Sequence, residues 1–166
     1  MVRCGFLLGL LALSLAGCRG GLRAGLFERG GLLYRVLEPQ GSNWRRVDFE
    51  DNDLAWLSTD GHVLSINATC AGHEDPPLEV LTNHLLIGFT EREWVSRKKF
   101  ELDGREALRS QLKAKLDGVS RSVELVVLKK NGCVHDFTHV SPVGQETHHR
   151  QEFDALVAGF KQERTP

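Results

Sequence analysis

The chain has 166 residues, with 21 Lys and Arg against 22 Asp and Glu, a formal net charge of −1, and 41% hydrophobic residues. That length supplies one domain around one core. The near-neutral charge supplies neither the basic field that non-specific DNA or RNA binding needs nor an acidic tail, which argues against nucleic acid as a partner.

Residues 1–17 form a leader: one positive charge at Arg3, an apolar run from Phe6 to Leu15, then Ala16 and Gly17. A run of ten residues is half of what a spanning helix needs, about twenty, so it suits export but not anchoring. Leu15-Ala16-Gly17-Cys18 resembles the lipobox of bacterial lipoproteins. The resemblance implies cleavage between Gly17 and Cys18, a diacylglycerol thioether on the Cys18 sulfur and an acyl chain such as palmitate on its amino group. Two or more chains hold stably where one holds weakly, at about 0.8 kcal/mol per buried methylene. A plain secretory signal cut nearer Ala24 is the alternative. Arg19 follows the cysteine, and in bacteria that sort lipoproteins an Asp there retains the protein at the inner membrane; its absence points to the outer membrane, facing the periplasm.

Cys4 leaves with the leader and Cys18 takes the lipid, so Cys70 and Cys133 remain in an exported, oxidising compartment. A disulfide between them is expected; two separate buried thiols are the alternative, and the absence of Cys-x-x-Cys argues against a redox pair. Residues 18–31 carry five glycines without a sustained period and are expected to be a flexible tether spanning about 20 Å. Leu22, Leu26 and Phe27 would lie free within it, near the lipid.

A single domain is expected over 32–161, with 162–166 as a tail. "LLYRVLEP" and "WRRVDF" look like short strands, and Thr59-Asp60-Gly61 between "DLAWLS" and "HVLSINATC" signals a hairpin. Leu78, Leu81, Leu85 and Phe89 then fall at helical spacing, with Asp75 as the cap and His84 on the polar side. Asp103-Gly104, Asp117-Gly118 and Asn131-Gly132 recur every fourteen residues and delimit four long antiparallel strands. The second, "REALRSQLKAKL", also fits a helix, but its alternation and bracketing turns favour a strand. "VELVVL" is apolar on both faces and should be central. Phe153, Leu156, Val157 and Phe160 mark a closing amphipathic helix, with Thr147 as its cap.

The sum is an α+β fold: an antiparallel sheet, made of a meander of about four strands plus N-terminal strands, flanked by two main helices. The element order resembles the Mog1/PsbP-like α/β/α sandwich, which implies a non-catalytic binding or accessory domain. No Gly-x-Ser-x-Gly elbow, His-Glu-x-x-His or glycine-rich phosphate loop is present, so no catalytic residue and no cofactor are assigned. Histidines form the one notable cluster. His135 and His139 share a strand face but lie about 13 Å apart, so a metal site would need one of them to converge with His148 or His149 and Glu152. Solvated and packed histidines without a ligand are the plainer account. The leading expectation is a lipid-anchored, non-enzymatic envelope protein that binds or scaffolds an unknown envelope protein or ligand; the alternative is a periplasmic metal-binding protein.

Overall fold

The computed structural model describes residues 21–49, 52–71 and 75–163. The expected leader, and the expected cleavage and lipid-attachment positions Gly17 and Cys18, lie outside the described residues. Its centre is a seven-stranded antiparallel sheet. The strands are β4 (Trp44–Val47), β5 (Leu54–Ser58), β6 (Val63–Thr69), β7 (Phe89–Leu102), β8 (Arg105–Leu116), β9 (Val119–Lys130) and β10 (Cys133–Pro142), in the order β4-β5-β6-β10-β9-β8-β7. The meander from β7 to β10 follows the turn spacing. Asp103, Asp117 and Asn131 have φ near +50° and are each followed by a positive-φ glycine, the two-residue geometry whose twist matches its strands. "REALRSQLKAKL" is indeed a strand, and β9 is buried from Ser122 to Leu128 between β8 and β10.

β7 is an edge, and its sequence blunts it. Two register irregularities, between Thr90 and Glu93 and between Trp94 and Ser96, bend it, and Arg97, Lys98 and Lys99 line it with charge. Both devices discourage pairing with another chain.

Helix α1 (Leu78–His84) covers one face of the sheet, where Leu78 packs with Leu108, Val127 and Val134. Its N-cap is Pro77 without a side-chain hydrogen bond; Asp75 instead accepts from Lys129 Nζ at 2.6 Å, so the expected cap is an ion-pair partner. Phe89, expected at the helix end, opens β7, because the helix stops at His84 and the chain turns through positive-φ Gly88. His84 is exposed, as expected. Helix α2 (Arg150–Ala158) crosses the other face, with Phe153, Leu156, Val157 and Phe160 buried against Phe137 and its neighbours. Thr147 does not cap it: the N-cap is His149, in a left-handed conformation at φ 57°.

The expected tether is wrong over the described residues. Residues 21–29 form β1 (Gly21–Arg23) and β2 (Leu26–Arg29), which join β3 (Leu32–Arg35) and β11 (Lys161–Gln162) in a second sheet, β1-β2-β3-β11. Ala24-Gly25 and Gly30-Gly31, all at positive φ, are its hairpin turns rather than linker glycines. Phe27 is 1% exposed and stacks on Tyr34 at 4.8 Å, inside the same core as α2, so it does not lie free in a tether. The expected tail is likewise structured as far as Glu163, whose backbone N–H donates to Leu33 O. The small sheet and α2 thus share one face of the large sheet, with α1 on the other.

Cys70 and Cys133 form the expected disulfide, from the end of β6 to the start of β10. The register places them together, since Thr69 already pairs with Val134.

Candidate functional site

The β5–β6 hairpin builds the site. Ser58 N donates to His62 O, leaving Thr59, Asp60 and Gly61 as a three-residue loop. Only Gly61 has positive φ, so the loop is not the two-residue type that Asp-Gly suggests but a longer one closed by a left-handed glycine. It sets Asp60 at the mouth and His62 inside. Ser58 Oγ donates to Asp60 Oδ1 at 2.5 Å and accepts from His62 N at 2.8 Å.

The pairing of β6 with β10 sets Leu64 opposite His139, so His62, two residues earlier, lies on the same face. His62 Nδ1 stands 3.1 Å from His139 Nε2, and His62 Nε2 stands 3.3 Å from Gln145 Oε1. The turn before α2 adds the rest. The His148 ring lies nearly parallel to that of His62 with centroids 6.1 Å apart, and His149 meets His62 edge-on at 4.8 Å. His149 Nε2 lies 3.0 Å from Asp60 Oδ2, and its Nδ1 lies 3.3 Å from Glu152 Oε1. Three imidazoles, those of His139, His148 and His149, therefore gather round the buried ring of His62, with a carboxylate at each end of His149.

The electrostatics divide the cluster by depth. His62 is 0% and His139 2% exposed, and burial lowers the proton affinity of both, that of His139 to about 4. A second cation beside an already buried imidazole is disfavoured, which adds to the shift of His139. Asp60 goes the other way: the Ser58 hydroxyl, and after it His149, hold its carboxyl down at about 2. At neutral pH the mouth carries a fixed negative charge and the interior neutral rings.

His139 also lines a cavity of about 240 Å³ between the start of α2 and β8–β9, with Gln111, Ser122, Glu124, Glu146 and Arg150 on its walls. Buried Glu124 accepts from Gln111 Nε2 at 3.0 Å and from Arg150 at 3.2 Å, and lies 3.4 Å from Arg109. Glu146 accepts from the Gly144 N–H and the Ser122 hydroxyl, which hold its carboxyl at about 2. Val95, Leu112 and Val123 complete its walls, so the cavity is a recess of mixed apolar and polar lining beside His139.

Of the sequence candidates, the structure brings His139, His148, His149 and Glu152 together. His135 is separate. Its ring lies between Tyr34 and Phe160, with Nε2 at 3.2 Å from Gln162 Oε1, at the other end of the strand as its spacing from His139 requires. Asp60 and His62 were legible only as a turn and a strand start.

No protein-family model matches the chain, and no curated protein matches it by sequence. Solved structures do match in fold. LpqN, involved in cell envelope biogenesis of Mycobacterium tuberculosis, superposes with a TM-score of 0.58 at 12% identity, over 80% of this chain and 84% of that one. Cyanobacterial PsbP (CyanoP) from Synechocystis sp. PCC 6803 gives a TM-score of 0.56 at 13% identity, over 98% and 99%. A Pseudomonas aeruginosa protein of unknown function, PA94, gives 0.50 at 11% identity, over 80% and 92%. The fold is therefore PsbP-like, which agrees with the resemblance read from the order of elements.

Proposed function

We propose that this chain is a lipid-anchored cell-envelope protein that binds or scaffolds a partner at the membrane surface and performs no catalysis of its own. One observation carries the reading: the lipobox-like Leu15-Ala16-Gly17-Cys18 stands directly ahead of a PsbP-like domain whose first strand begins at Gly21. With no more than two residues between Cys18 and β1, an acylated Cys18 would hold the small sheet against the headgroups. A protein so seated works on what lies at the bilayer, not on what lies far from it. The fold likeness to LpqN, a protein of envelope biogenesis, supports an envelope role, and the recess beside His139 is the pocket such a domain would offer a ligand. The absence of Asp after Cys18 favours the outer membrane.

The test is a comparison of wild type with Cys18→Ser in a bacterium fed labelled palmitate. The wild type should incorporate label and fractionate with membranes, and the variant should do neither and accumulate as a larger precursor. Label on the Cys18→Ser chain would remove the anchor from the account. Crosslinking of the wild type in intact envelopes should then give a discrete adduct that Cys18→Ser loses.

A further inference from the structure

We propose that Asp60, His62 and His148 form a binding site for a divalent transition metal ion of the zinc class. This goes beyond the envelope reading and does not depend on the anchor. One ligand atom from each residue can be chosen so that all three lie within 4.8 Å of one another. Around a tetrahedral zinc with bonds of about 2.0–2.1 Å, such atoms sit roughly 3.4 Å apart. The remaining contraction falls mainly on His148, which is exposed and can rotate, while buried His62 and hydrogen-bonded Asp60 are the fixed points.

What distinguishes this group from a chance cluster is the support behind its members. His62 Nε2 faces Asp60 Oδ2 at 3.8 Å, and its other nitrogen faces His139 Nε2 at 3.1 Å. If His62 Nδ1–H donates to His139, the Nε2 lone pair points at the ion, so His139 fixes the tautomer and the ring plane. Asp60 is held by the Ser58 hydroxyl at 2.5 Å and His149 at 3.0 Å, and His149 is backed by Glu152 at 3.3 Å. Two of the three ligands, His62 and Asp60, thus have outer partners of the kind that orient ligands in protein metal sites. Gln145 Oε1, 3.3 Å from His62 Nε2, would turn its amide aside or contribute an oxygen. Two imidazoles and one carboxylate suit zinc, copper or nickel and disfavour calcium and magnesium, which take oxygen ligands. Three protein ligands, two of them at the mouth, leave a coordination position open to water or a small ligand.

The experiment is zinc titration by calorimetry on the full chain, purified in detergent without an affinity tag, beside Asp60→Asn, His148→Ala and the distant control His84→Ala. One equivalent should bind, and Asp60→Asn and His148→Ala should each weaken it at least tenfold, while His84→Ala leaves it unchanged. Both informative positions are exposed, so the variants should fold, and circular dichroism checks this. His149→Gln, behind the carboxylate, should weaken binding about tenfold while preserving stoichiometry. Absence of binding at 100 µM zinc, or binding that His148→Ala and Asp60→Asn leave intact, would overturn the site. Neither result bears on palmitate labelling.

Discussion

Replacing His135 by Phe should remove a defined part of the acid sensitivity of the fold. The His135 ring is fully buried, 4.8 Å from Phe160 and 6.0 Å from Tyr34. Its Nε2 has Gln162 as a partner, while its Nδ1 is buried without a hydrogen bond. Burial lowers its proton affinity from the ordinary 6.5 to about 4, with the Gln162 hydrogen bond opposing the shift. As pH falls below 6.5 the unfolded chain takes up a proton that the folded chain refuses until about 4. The stability that neutral His135 allows is therefore full above 6.5 and is lost as pH falls through this window. A shift of that size amounts to about 3 kcal/mol in full, most of which is already lost at pH 4.5. Asp136 works in the opposite sense: burial and Asp53 raise it to about 7, so its contribution is present at low pH and lost as pH rises. Only the difference between variant and wild type isolates His135. In urea unfolding, His135→Phe should lie within about 1 kcal/mol of wild type at pH 7.5, where a lost hydrogen bond is offset by the removal of an unpaired nitrogen. At pH 4.5 the variant should gain about 2–3 kcal/mol relative to wild type. An identical difference at both pH values would refute the reasoning.

Two further outcomes follow from the packing. The Cys70–Cys133 link spans a sequence separation of 63, so replacing both cysteines by Ala should cost about 4 kcal/mol in the chain-entropy account; a loss below about 1 kcal/mol in denaturant titration would show that the unfolded chain is not so constrained. Gly25 has φ +74°, and a Cβ there would stand 2.8 Å from Val36 O, a backbone atom. Gly25→Ala should therefore destabilise by about 1–3 kcal/mol and speed hydrogen exchange in β1 and β2; a neutral result would mean that the small sheet is not part of the cooperative unit.

The meander was legible because its turns carry their own chemistry. An Asp-Gly or Asn-Gly at equal intervals states where strands end, and alternation between the turns chose strand over helix for Arg105–Leu116. The same rule was hidden at the start of the domain. Ala24-Gly25 lacks the side chain that marks such a turn, and Gly30-Gly31 within a glycine-rich stretch reads equally well as linker. Phe27 belongs to the core only because Tyr34 and α2 reach it, a contact no local pattern contains. The caps failed for a related reason: Asp75 found Lys129, 54 residues away, in place of a helix end. Half of the histidine site was visible as His139, His148 and His149. The other half was not, because Asp60 and His62 come into place through the register of β6 on β10 and a hairpin one residue longer than Asp-Gly implies.

The proposed anchor is tested most directly by the mass of the chain recovered from membranes. Protein extracted from membranes of a lipoprotein-processing bacterium should begin at Cys18, with its first peptide carrying the added mass of a diacylglyceryl thioether and an N-acyl chain. A chain that retains residues 1–17, or that begins at Cys18 or near Ala24 without lipid, would contradict the account.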